Sequence, residues 1–66
     1  MRDPNRLDAF YDELKELHKR NFPDWRFGQF CVNFLQWLYN ERQIDAFFPE
    51  DDTMIDYLRV YAAVMQ

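Results

Sequence analysis

Seven Phe, four Tyr and two Trp stand among only 66 residues, and this density of rings constrains the fold more than any other feature of the chain. Each large ring encloses on the order of 150 to 250 Å² when buried. A single domain this short lies near the lower limit for a core held without disulfides or a structural metal. Thirteen rings are more than such a core takes in, so the surplus predicts a second apolar surface that packs against something else. The chain is globular in kind, because 48% of its residues are hydrophobic, whereas disorder needs low hydrophobicity joined to high net charge. One Gly and three Pro leave little room for β-turns, which turns the argument toward helices.

The spacing of apolar residues predicts three of them. Asp3 before Pro4 reads as an N-cap with proline at the first helical position. Leu7, Phe10, Tyr11, Leu14 and Leu17 then recur at steps of three and four to about Arg20, one face of a first helix. Asn21 suits a left-handed C-cap and Pro23 prevents continuation. Asp24 reads as the cap of a second helix from about Trp25 to Arg42, with its main stripe at Phe27, Phe30, Cys31, Phe34, Leu35 and Leu38. Val32, Trp37 and Tyr39 fall outside that stripe, so this helix is expected to be central and covered on two sides. From Gln43 to Glu50 there is no helical period, and Phe47 and Phe48 predict an ordered loop pinned by buried rings. Asp51 or Asp52 caps a third helix with Met54, Ile55, Leu58, Tyr61, Ala62 and Met65 on its apolar face. The expected fold is therefore all-α, a compact three-helix domain spanning residues 1–66 with an ordered aromatic loop between helices two and three.

The net charge of −4 is unevenly placed. Residues 1–20 hold five acids and five bases, and residues 21–43 also balance. The excess lies in the last third, where Asp45, Glu50, Asp51, Asp52 and Asp56 face only Arg59. Affinity for nucleic acid is built from Lys and Arg neutralising phosphates, so direct nucleic-acid binding is not expected. The longest charge-free run, Phe27 to Asn40, is 14 residues and contains four amides, too short and too polar for a membrane span. A lone Cys31 forms no intrachain disulfide and no leader pattern opens the chain, which points to a reducing, cytoplasmic setting.

Three groups of residues are candidates for function. Arg26, Gln29, Asn33, Gln36 and Asn40 form a polar stripe on the second helix. Its expected role is structural: Gln29 and Asn33 reach inward to pair the backbone of the loop, and Arg26 pairs with Asp45, Glu50 or Asp51. The alternative is a docked peptide or partner helix. Gly28 in the first turn costs about 1 kcal/mol relative to Ala, which predicts close approach of another element. The acids Asp51, Asp52 and Asp56 form a patch explained by capping and the helix dipole. A metal there would need more oxygen ligands than the spacing offers, and mimicry of phosphates toward a basic groove is the other reading. His18 and Cys31 are the only classical base and nucleophile besides hydroxyls, and no oxyanion donor or Gly-rich loop accompanies them. No catalytic, cofactor or metal residue is assigned, and an enzyme is not expected.

The string Pro23, Asp24, Arg26, Gly28, Gln29 and Asn33, followed by Asp45, Phe47, Phe48, Glu50 and Asp51, resembles a family of short bacterial and phage-type helical proteins with a P-D-x-R-x-G-Q, N, D-x-F-[YF]-x-E-D pattern. The likeness covers residues from about 20 to 55. It implies a small soluble helical protein of phage or mobile-element association, with Asp24, Arg26, Gln29, Asn33, Asp45, Glu50 and Asp51 acting as one unit, and it supplies no activity. The expectation is a protein-interaction module that forms a homodimer or binds a partner through Trp25, Trp37, Tyr39, Tyr57 and Tyr61, residue types that anchor interfaces at low entropic cost. An acidic inhibitor occupying a partner's basic groove is the alternative.

Overall fold

The computed structural model describes residues 2–65 and contains three helices, α1 (Arg6–Asn21), α2 (Phe27–Arg42) and α3 (Asp51–Val64). The all-α three-helix expectation holds, while the helix ends differ in instructive ways. Asp3 acts ahead of α1, where its Oδ1 accepts the Asn5 N–H at 2.9 Å, and Asn5 itself is the residue before the helix. Asp24 does not cap α2. Its start is set two residues later, where Gln29 Oε1 accepts the Arg26 N–H at 2.7 Å, satisfying a donor that the helix leaves free. Asn21 stays within α1 and donates its side-chain amide to the Leu17 carbonyl. The left-handed residue is instead Gln43, with φ of 60°, and the turn it makes lets the Ile44 N–H reach the Leu38 carbonyl at 3.3 Å.

Two interhelical ion pairs give the direction of packing. Arg6 meets Asp51 and Glu13 meets Arg59, so residues advance together along α1 and α3, and these helices run parallel. α3 is the element that packs on both others, most extensively on α1. This corrects the expectation that α2 is central: its apolar circumference does not mean that it is enclosed.

The core consists of Leu17, Phe22, Phe30, Phe34, Leu38, Ile55, Leu58, Tyr61 and Ala62. Leu38 is fully enclosed, worth roughly 1.5–3 kcal/mol of transfer free energy. Rings connect the elements. Phe22 stacks on Trp25 with centroids 4.4 Å apart and planes 9° from parallel, and it also meets Phe30 and Tyr61. Tyr61 touches Phe34 and Trp37 in turn, at 5.5 and 5.2 Å. Each such pair adds about 0.5–1.5 kcal/mol beyond its buried area. His18 closes the α1 end, with Nε2 2.8 Å from the Trp25 carbonyl. A carbonyl only accepts, so this contact fixes the proton on Nε2.

Two stability tests follow from the backbone and the core. A non-glycine residue at positive φ carries about 1–2 kcal/mol of strain, so Gln43→Gly is expected to stabilise the fold by about 0.5–1 kcal/mol, read as a higher thermal midpoint by circular dichroism. Burial raises the Tyr61 phenol above its ordinary value of 10.0. The folded state therefore holds a proton that the unfolded state releases first, and its contribution is present below pH 10 and lost as pH rises beyond it. Tyr61→Phe is expected to reduce this alkaline loss of stability in denaturant titrations at successive pH values.

Candidate interaction surface

The five aromatic residues expected to form a contact surface are mostly placed inward. Tyr61 is 3% exposed and belongs to the core. Trp25, Trp37 and Tyr57 are half-buried and packed against it, and Arg42 covers the Trp37 ring at 5.6 Å. Only Tyr39, at 66% exposure, faces solvent. The other rings that project are Tyr11, Phe27, Phe47 and Phe48, at 58%, 66%, 84% and 74% exposure, so Tyr11 leaves the inner face of α1. Phe47 and Phe48 thus correct the expectation of a loop pinned by buried rings. Half-buried Ile44 and Ala46 anchor that segment on the core instead. Asp45 shapes the turn, its Oδ1 accepting the Phe47 N–H and its carbonyl the Phe48 N–H, which holds both rings outward, edge to face at 5.2 Å.

α2 has two apolar faces, and only one is used internally. Phe30, Phe34, Trp37 and Leu38 turn toward the core. At 3.6 residues per turn, Gly28, Val32, Leu35 and Tyr39 align on a second face roughly 140° around the helix. All four are exposed, including Val32 at 54% and Leu35 at 42%, so Phe27 and Leu35 leave the internal stripe assigned to them. Gly28 corrects another expectation, since an added Cβ there would meet nothing within 4 Å: no element of this chain approaches it. Cys31 borders this face half-buried, and burial pushes its thiol above the ordinary value. The amides Gln29, Asn33, Gln36 and Asn40 flank the face and are exposed, rather than reaching inward to the loop. No charge stands anywhere from Phe27 to Asn40.

Charge is organised elsewhere. Asp24, Arg26 and Asp45 are exposed, and they do not gather with Glu50 and Asp51 into one unit. Glu50 pairs with Arg2 at 2.6 Å and Asp51 with Arg6 at 2.8 Å. Arg59 bridges Glu13 and Asp56 at 2.9 and 3.0 Å, and the hydrogen bond and charge of Glu13 raise its pKa first. Arg6, Glu13, Glu50, Asp51, Asp56 and Arg59 line an open groove of about 620 Å³ between α1 and α3, together with Phe10 and Ile55. Asp52 is occupied locally, accepting the Thr53 N–H at 2.8 Å. The acidic patch therefore presents less free negative charge than its residue count suggests.

Among the described residues no group of three or more His, Cys, Asp and Glu is placed to hold a metal ion, and no helix is long and apolar enough to cross a membrane. Compared with family models, curated proteins and solved structures, the chain matches none. The burial pattern itself can be tested. Phe47→Ala and Phe48→Ala are expected to change stability by no more than about 0.5 kcal/mol, whereas Phe22→Ala is expected to cost about 3–5 kcal/mol, all read from urea unfolding midpoints.

Proposed function

We propose that the chain is a small protein-interaction module that self-associates through the exposed, uncharged face of α2. The observation that carries this reading is the conjunction of Val32, Leu35 and Tyr39 in solvent on a helix without a charge from Phe27 to Asn40. Interface centres are depleted of charge and enriched in aromatic residues, and the ordinary solvent face of a surface helix is neither.

Charge permits a partner of the same kind. Like charges do not oppose the approach, because the net charge resides on the segment after α2.

Sedimentation equilibrium tests this directly. The expected mass is twice 8.2 kDa at high concentration, falling toward the monomer on dilution. Leu35→Glu sets a charge in the middle of the face without touching the enclosed core, and is expected to yield a folded monomer with unchanged helix content. A native chain that stays monomeric at millimolar concentration would overturn the reading.

A further inference from the structure

We draw no further inference here: the strongest candidate, the groove between α1 and α3 rimmed by Glu13, Glu50, Asp51 and Asp56, has each of these carboxylates already paired with an arginine, and nothing in the structure shows what covers it.

Discussion

Phe22 sits just past the end of α1, yet its ring stacks on Trp25, tilts against Phe30 at the start of α2 and meets Tyr61 on α3. Tyr61 extends the same contact to Phe34 and Trp37. This ring cluster joins all three helices, and the other features are arranged around it. A 66-residue chain has room for one such centre. Rings recruited to it are enclosed, and rings that lie off its axis are left in solvent whatever their hydrophobicity.

The same constraint explains the rotation of α2. Its contribution to the centre is Phe30, Phe34, Trp37 and Leu38, which occupies one side of a helix that is apolar over much of its circumference. Parallel packing of α1 and α3 places the charges of those helices beside each other, and Arg2, Arg6 and Arg59 neutralise carboxylates across that seam. The charged seam and the uncharged second face of α2 are thus separate features of one packing arrangement.

Much of this was legible in the sequence. Apolar spacing located three helices, and it identified Ile55, Leu58, Tyr61 and Ala62 as the inner face of α3. Periodicity also placed Phe30, Phe34 and Leu38 on the inner side of α2, but it could not say that the rest of that helix's apolar circumference stays uncovered, because a repeat records hydrophobicity and not where the neighbouring helices lie. It also carried no information about Phe47 and Phe48, since a loop has no period and burial there depends on the turn that Asp45 makes. The partners of Glu50 and Asp51 lie 45 or more residues away and follow from the direction of helix packing, which no local pattern records. The charge-free run from Phe27 to Asn40 was a readable signal, and the exposure of Val32, Leu35 and Tyr39 is what gives it meaning.

Parallel packing of α1 and α3 also bears on how the chain reaches its fold. α1 and α2 meet chiefly where His18 and Phe22 touch Phe30, too little enclosed surface to hold two helices together against their conformational entropy. The contacts that secure α1 are made with α3, across separations such as the 45 residues between Arg6 and Asp51. Closing that distance costs entropy before burial compensates for it. Neither early helix therefore gains a stable partner until α3 has joined, and the domain assembles in a single cooperative step rather than helix by helix.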